Sequence, residues 1–342
     1  MESCSPPEKD EGNFYYIPHH GILRPSSIST PLRVVFDASA KDALGRSLND
    51  TLMAGQKLQT NIFDLLLRFR WHCIVFTADV KQMYRQILVL LEDAEYQRIL
   101  WRPSPEEPIR DYRLKTVTYG VSSAPYQALR TIAQLAKDTE VEFPAGSAVL
   151  STDIYVDDVV SGTSTLEEAL KLRSELTTIM SSGGFHLRKW TSNCEAFFEG
   201  LPESELYSED FRNFNSINDV SLKVLGLRWL PKTDCFTFDT SVFDNRCTKR
   251  SILSEIARIF DPLGLLSPVV FLAKYIMQLL WLSGIDWDED VPGHISAEWL
   301  KFKSQLSSLQ SLSIPRRVVT QFTSLQVHGF CDASERGFCA AI

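Results

Sequence analysis

The sequence predicts an α+β fold that contains a split βαβ arrangement. Residues 73–80 (CIVFTADV) are a continuous apolar run rich in β-branched and aromatic residues, which is typical of a strand buried on both faces. Residues 122–140 predict a helix with a serine cap and Pro125 in its first turn. Residues 148–162 (AVLSTDIYVDDVVSG) predict a hairpin of two strands that turns at Asp157–Asp158. This order of elements is expected to bring the end of the first strand beside the tip of the hairpin.

The remaining chain predicts further elements and one tail. Residues 1–13 are acidic and polar and predict a disordered tail. The other predicted elements are a strand at 32–39, a short helix at 60–69, strands at 86–91, 97–101 and 114–119, a helix from Thr165 to about Met180, a hairpin formed by 224–230 and 235–239, a helix at 251–260, mainly helical structure over 263–311, and a strand, turn and strand over 325–342.

The charge of the chain is unevenly distributed. The 342 residues carry a formal net charge of −8. Residues 14–130 nevertheless contain 15 basic and 11 acidic residues, a net charge of +4, whereas 131–160 contain one basic and six acidic residues. An ordinary mixed surface would explain this pattern. The alternative is a basic wall beside a carboxylate cluster, as in an enzyme that handles phosphates with metal ions.

The cysteines and the N-terminus indicate a location inside the cell. Seven scattered cysteines without a C-x-x-C pair argue against a disulfide framework or a zinc ribbon. The acidic N-terminus does not have the form of a signal peptide. The most apolar stretch, 264–285, is interrupted by Pro268, Lys274 and Gln278, so a buried helix is expected there and no membrane partner.

Three carboxylates stand in settings that require compensation. Asp79 ends the predicted buried strand, and Asp157 and Asp158 lie between apolar strands. Adjacent aspartates repel each other and are disfavoured in strands. A simple turn would accommodate them, because aspartate is a common turn residue. A pair of divalent cations about 3.5–4 Å apart, bound by carboxylates from different strands, is the functional alternative.

Six motifs in order resemble those of reverse transcriptases. Together with IPHHGI (17–22) and FDPLGLLSP (260–268), they resemble the BEL/Pao class of LTR retrotransposons, over nearly the whole chain after residue 14. The six are LRVVFDAS (32–39), FTADVKQMY (76–84), TYGVSSAP (118–125), YVDD (155–158), GFHLRKW (184–190) and VLGLRWL (224–230). The resemblance implies a right-hand polymerase fold in which the split βαβ unit is the palm.

The resemblance also implies a two-metal centre. Asp79 and Asp157 would hold two Mg²⁺ ions, with Mn²⁺ as a substitute, and Val80 would offer its backbone carbonyl to one of them. Asp158 would support the site electrostatically. The ions would activate a 3′-hydroxyl and stabilise the pyrophosphate leaving group.

Further residues are implied to bind the incoming nucleotide. Tyr84 would fill the space of a ribose 2′-hydroxyl and so select deoxynucleotides; the alternative is an ordinary core aromatic. Arg33 would bind the triphosphate, since a guanidinium fork suits phosphate oxygens. Arg24 stands where the family usually has a lysine, and Tyr119 where many relatives have Gln or Phe. Gly120 would let the backbone approach the nucleotide.

Two later motifs imply a proton donor and a primer grip. Lys189 would protonate the pyrophosphate, or it is simply a solvated lysine. Leu225, Gly226 and Trp229 fit the primer grip, although Trp229 would also fit an ordinary core.

The resemblance divides the chain into segments. It implies fingers and palm over 14–215, a mostly helical thumb and connection over 216–315, and the truncated start of an RNase H domain over 325–342. Asp332 in GFCDAS would be one metal-binding acid of that domain. The other acids are expected later in sequence, so RNase H activity is not expected from this chain.

The expected function is RNA-directed DNA polymerisation within a retrotransposon polyprotein. The expected partners are an RNA template, a DNA primer, the RNA–DNA hybrid and dNTPs, and the expected location is cytoplasmic, including virus-like particles. One alternative is an inactive nucleic-acid-binding remnant. Another is an aspartic-type peptidase, for which DTS (239–241) is a distant, single-copy match.

Overall fold

The computed structural model describes residues 1–7, 14–24, 31–207, 221–238, 246–318 and 326–342. It divides the chain into two compact units. The first comprises Met1–Thr60, Ala78–Val159 and Leu170–Trp190, and the second comprises Asn61–Thr77, Val160–Ala169 and Thr191–Ile342. This division does not follow the expected boundary after residue 215.

The strands form small sheets of two to four strands. In chain order they are β1 (Glu2–Cys4), β2 (His19–Leu23), β3 (Leu32–Phe36), β4 (Ile74–Val80), β5 (Arg98–Trp101), β6 (Arg110–Arg113), β7 (Ile154–Tyr155), β8 (Asp158–Thr163), β9 (Leu187–Ser192), β10 (Leu222–Val224), β11 (Leu227–Leu230), β12 (Cys235–Thr237), β13 (Ser313–Pro315), β14 (Phe330–Ser334) and β15 (Gly337–Ala341). The sheets have the orders β2-β3, β1-β6-β5, β7-β8-β4-β9, β10-β11-β12-β13 and β14-β15.

The helices separate these strands along the chain. They are α1 (Leu48–Thr51), α2 (Ile62–Trp71), α3 (Leu91–Ala94), α4 (Ala124–Thr139), α5 (Pro144–Thr152), α6 (Leu166–Ser182), α7 (Lys249–Ile256), α8 (Ser267–Leu282) and α9 (Gly293–Leu306). No helix in the described part of the chain is both long and apolar enough to cross a membrane.

The central elements follow from their sequence periods. Strand β4 buries Val75, Phe76, Ala78 and Val80, so both of its faces are covered and the predicted buried strand is confirmed. Helix α4 begins with a proline in its first turn and buries one stripe of small and apolar residues, which confirms the predicted helix. The buried residues of that stripe are Ala124, Ala128, Ile132 and Ala136.

Each unit has its own apolar core. In the first unit Phe36, Leu114, Val117 and Ala124 belong to one buried cluster. In the second unit, buried residues of α7, α8 and α9 form another, which includes Ile276, Leu280 and Trp299. The mainly helical prediction for 263–311 is thereby confirmed.

Several sequence predictions were wrong in whole or in part. The strands predicted at 86–91 and 114–119 are not formed: Leu88 and Thr116 make only an isolated bridge, and Leu91 begins α3. Residues 2–4 of the supposed disordered tail form β1, which pairs with β6 and ties Glu2 to Arg113 and Lys115; residues 8–13 lie outside the described part. Residues 148–152 are not a strand but the end of α5. Pro144 starts that helix, and Val149 and Leu150 are buried in it, because a short apolar run suits a helix as well as a strand.

Candidate active site

Asp79 and the 155–158 hairpin lie together, as the order of elements predicts. Asp79 is the penultimate residue of β4, and β8 is the neighbour of β4 in the sheet. The backbone N–H of Val80 donates to the carbonyl oxygen of Asp157 at 2.8 Å. One main-chain hydrogen bond therefore fixes the end of β4 against the hairpin tip.

The turn of the hairpin lies one residue earlier than predicted. Tyr155 pairs with Asp158, so Val156 and Asp157 form the turn and Asp158 begins β8. Val156 has φ of +55°, a conformation that a β-branched residue rarely adopts and that costs about 1–3 kcal/mol. The turn is thus strained at the residue before the first carboxylate.

Gln59 supports this strained turn and was not identified from the sequence. Its amide nitrogen donates to the carbonyl oxygen of Ile154 at 3.3 Å, and its amide oxygen accepts from the N–H of Val156 at 3.0 Å. The side-chain amide therefore pairs with the free edge of β7 as a neighbouring strand would. A single glutamine in a polar loop gives no sequence signal for such a contact.

Burial and mutual repulsion raise the pKa values of the two hairpin carboxylates. Burial, followed by the charge of Asp79, raises the pKa of Asp157. Burial, followed by the charges of Asp157 and Asp79, raises the pKa of Asp158 to about 7. The charge of Lys189 opposes both shifts. The three carboxylates thus sense one another, and additional positive charge would stabilise their ionised forms.

Two consecutive basic residues contact Asp79. Nε of Arg188 donates to Oδ1 at 2.8 Å, and Nζ of Lys189 donates to Oδ2 at 3.2 Å. Lys189 lies in β9 with φ of +55°. The sequence indicated Lys189 as a site residue, but not Arg188.

Tyr84 lies close enough to Asp157 for the charge of that carboxylate to affect its phenol. It follows β4 in a short 3₁₀ turn, Met83–Gln86, and is partly buried against the apolar cluster of the first unit. Burial and, secondarily, the charge of Asp157 raise the pKa of its phenol. The packing of its ring agrees with the core alternative, and the role as a sugar gate stays a prediction.

Tyr119 and Gly120 form a second group, around the end of β3. The rings of Tyr119 and Phe36 meet edge to face at 5.3 Å between centroids, and the Arg85 guanidinium lies over both. Gly120 has φ of +96°, and a Cβ atom there would collide with the carbonyl oxygen of Phe36. The glycine is therefore required by chain packing, and its role at the nucleotide stays a prediction. Asn49 donates to the carbonyl oxygen of Gly120 at 3.0 Å.

The two arginines expected at the triphosphate lie on an exposed hairpin. Arg33 is in β3, opposite Ile22 of β2, and Arg24 directly follows β2. Both are solvent-exposed, which suits a role toward a ligand.

The expected primer-grip residues form a strained turn and a core contact within the second unit. Leu225 and Gly226, with φ of +50° and +92°, connect β10 to β11. The Trp229 side chain is fully buried, packs edge to face on Phe69, and donates its indole N–H to Asp234 at 3.0 Å. Trp229 therefore occupies the core, the alternative that the sequence left open.

Asp332 belongs to an exposed hairpin. It lies in β14, which pairs with β15, and it helps to line a cavity of about 550 Å³ with Asp261, Lys274 and Phe338. The DTS segment at 239–241 lies outside the described residues.

The donor set suits a hard divalent cation. Asp79, Asp157 and Asp158 offer oxygen atoms, which Mg²⁺ prefers, and burial followed by the charges of the neighbouring carboxylates raises the pKa values of the last two. The described residues nevertheless contain no ready group of three or more His, Cys, Asp or Glu side chains arranged around one metal position. Both oxygens of Asp79 accept hydrogen bonds from Arg188 and Lys189, so a bound metal ion would share this carboxylate with the two cations or displace one of them.

The fold resembles that of solved foamy viral protease-reverse transcriptases. A foamy viral protease-reverse transcriptase in complex with double-stranded DNA aligns with a TM-score of 0.55 and 14% identity, over 86% of this chain and 44% of that one. The foamy viral protease-reverse transcriptase in complex with an RNA/DNA hybrid aligns with a TM-score of 0.54 and 14% identity, over 87% and 34%. The chain thus spans less than half the length of either protein.

A protein-family model matches the C-terminal part of the chain. Residues 248–342 match the Pao retrotransposon-like RNaseH-like domain. The matched range is less than a third of the chain, and the two solved structures, at 14% identity, show a likeness of fold. The matched range contains residues 248–315 of the segment interpreted as thumb and connection, and all of the expected RNase H start at 325–342. A search of the curated proteins finds no match.

Proposed function

We propose that the chain is an RNA-directed DNA polymerase that works by two-metal nucleotidyl transfer within a retroelement polyprotein. The observation that carries the proposal is the meeting of Asp79 with Asp157 and Asp158, fixed by the hydrogen bond between Val80 and Asp157. In this proposal the right-hand arrangement has the β7-β8-β4-β9 sheet as its palm, with fingers and palm over 14–215.

Each site residue has a task in the proposed reaction. Two bound Mg²⁺ ions would supply activation of the 3′-hydroxyl and charge compensation for the leaving pyrophosphate. Asp79 and Asp157 would hold the ions with the Val80 carbonyl, and Asp158 would adjust the local charge. Lys189 would deliver a proton to pyrophosphate.

The remaining residues would position the substrates. Tyr84 would exclude the ribose 2′-hydroxyl, while Arg33 and Arg24 would bind phosphate oxygens. The template would be RNA, the primer DNA and the substrates dNTPs. Nucleic acid in the complexes of both foamy viral proteins supports the choice of partners.

Primer extension tests the proposal. The wild-type chain is incubated with a primed RNA template, dNTPs and Mg²⁺ or Mn²⁺, in parallel with Asp157→Asn. Asp138→Asn is the matched control, because Asp138 is an exposed residue of α4 that accepts a hydrogen bond from Gln134. Extension by the wild type and Asp138→Asn, and its loss in Asp157→Asn, is expected. Extension that survives in Asp157→Asn would contradict the assignment of the site.

An inactive nucleic-acid-binding remnant is the second candidate. The engagement of both Asp79 oxygens by basic side chains favours it, because that arrangement is also a stable metal-free ion-pair cluster. Salt-sensitive binding of an RNA–DNA hybrid without metal-dependent extension would support this candidate.

The seven free thiols suit the proposed cytoplasmic location, inside virus-like particles or outside them.

A further inference from the structure

Strand β9 presents two neighbouring basic side chains to the same carboxylate. In a regular strand, successive side chains point to opposite faces of the sheet. Arg188 and Lys189 are successive, yet both donate to Asp79. The left-handed conformation of Lys189, with φ of +55°, breaks the alternation as a residue in a bulge does. The strand thus adopts a strained backbone that brings both cations to Asp79.

The contacts use the atoms that a metal ion would need. Arg188 occupies Oδ1 of Asp79 and Lys189 occupies Oδ2. The side chains of Asp79 and Arg188 are 17% and 25% exposed, so solvent screens the pair only partly. A carboxylate oxygen that accepts a short hydrogen bond from a guanidinium offers less of its lone-pair density to a cation.

The two basic residues differ in what else they do. Lys189 acts on the charges of both hairpin carboxylates, Asp157 and Asp158, whereas Arg188 acts on that of Asp157. Arg188 also makes the shorter contact with Asp79, at 2.8 Å against 3.2 Å. Arg188 is therefore the residue whose interaction is directed most specifically at Asp79.

We propose that Arg188 is a positioning residue that holds Asp79 as a displaceable counterion and competes with divalent cations for its oxygens. This inference rests on the proposed function, since it concerns the same carboxylates. Without metal, the positive charge of Arg188 offsets part of the negative charge of the three carboxylates and so allows the cluster to fold. When metal ions bind to the carboxylates, Asp79 releases Arg188. The arrangement makes the affinity for metal weaker than the carboxylates alone would give.

Metal binding by the full chain tests this competition directly. The binding of Mn²⁺ to metal-free protein is followed by the loss of the free-ion EPR signal, for the wild type and for Arg188→Gln. A half-buried hydrogen bond between charged groups is worth enough that its removal should tighten Mn²⁺ binding on the order of tenfold. Circular dichroism checks that each variant is folded, and Arg188→Lys, with an expected intermediate affinity, replaces Arg188→Gln if the latter does not fold.

A matched control separates the ion pair from general charge. Lys81→Gln removes the same positive charge from an exposed residue two positions after Asp79. It is expected to change the Mn²⁺ affinity by less than about twofold, since exposed charges are well screened. Equal tightening in Lys81→Gln and Arg188→Gln would overturn the proposal, because the effect would then be one of general charge.

The remaining outcomes distinguish this inference from the proposed function. Unchanged or weaker Mn²⁺ binding in Arg188→Gln, or no binding by any variant, would overturn the role of Arg188. Tighter binding in Arg188→Gln that is abolished by adding Asp79→Asn would support it, even if no variant extends a primer. In that last case the inference stands and the polymerase assignment fails.

Discussion

Removal of the Arg316 side chain should destabilise the second unit strongly. Arg316 is fully buried just after β13, and its guanidinium donates to both carboxylate oxygens of Asp234 at 2.6 Å. It also donates to the carbonyl oxygens of Phe69 and His72 at the end of α2. One side chain therefore donates hydrogen bonds both to carbonyl oxygens at the C-terminus of α2 and to a partly buried carboxylate.

The magnitude follows from the groups that would lose their partner. In Arg316→Leu the carboxylate of Asp234, only 24% exposed, keeps its donors from Trp229 and Asn193 but loses its counterion. Breaking a buried pair by removing one partner costs about 3–5 kcal/mol, since an uncompensated charge remains. The lost hydrogen bonds to the two helix carbonyls are of the kind that costs about 1–3 kcal/mol when a buried group is left unpaired. Together, these contributions predict a loss of unfolding free energy of about 4–8 kcal/mol.

Urea unfolding at neutral pH measures this loss against a matched control. Arg250→Leu breaks the ion pair between Arg250 and Asp288, which is made with similar 2.8 Å contacts but is exposed, and its unfolding midpoint should not move measurably. Adding Asp234→Asn to Arg316→Leu should recover part of the loss. Asparagine removes the unpaired charge and tolerates the φ of +53° at position 234. Equal midpoints for Arg316→Leu and Arg250→Leu, or no recovery in the double variant, would refute the reasoning.

Three further predictions concern the first unit. Gly120→Ala should lower the thermal midpoint and primer extension together, because φ is +96° and the new Cβ collides with the Phe36 carbonyl. As the pH rises from about 4 to about 7, the free energy of unfolding of the metal-free wild type should fall by about 2–4 kcal/mol relative to that of Asp158→Asn. Urea unfolding of both proteins at several pH values measures this difference. In the folded state Asp158 keeps its proton up to its pKa of about 7, whereas the unfolded chain releases it near 3.8, so the unfolded state binds fewer protons between these pH values. Parallel curves of unfolding free energy against pH for the two proteins would contradict this. Tyr84→Val should admit ribonucleotides in primer extension, and unchanged sugar discrimination would mean that Tyr84 does not exclude the 2′-hydroxyl.

The meeting of the carboxylates was predictable from the sequence for a clear reason. An apolar run that ends in Asp79 has few alternatives to a buried strand, and a βαβ order leaves few positions for the following hairpin. The structure confirms both the strand and its contact with the hairpin tip. The exact turn was not predictable, because it depends on Val156 adopting a conformation that its residue type disfavours.

The contacts of Gln59 and Arg188 could not be predicted from the sequence. Gln59 reaches Val156 across 97 positions of the chain, and Arg188 reaches Asp79 across 109. Neither residue stands in a pattern that distinguishes it from a solvated polar side chain. Arg188 contacts Asp79 beside Lys189 because Lys189 has a left-handed backbone conformation, which a regular strand period does not predict.

The distribution of backbone strain supports a functional reading of the carboxylate cluster over a simple turn. In the described part of the first unit, the non-glycine residues with positive φ are Gln82, Val156 and Lys189. Gln82 follows Asp79 by three residues, Val156 precedes Asp157, and Lys189 contacts Asp79. A turn that served only to connect strands would favour glycine, asparagine or aspartate at such positions. Each strained residue costs about 1–3 kcal/mol, and Val156 and Lys189 adjoin Asp157 and Asp79 directly, so the strain at these two residues is best understood as the cost of holding the charges together.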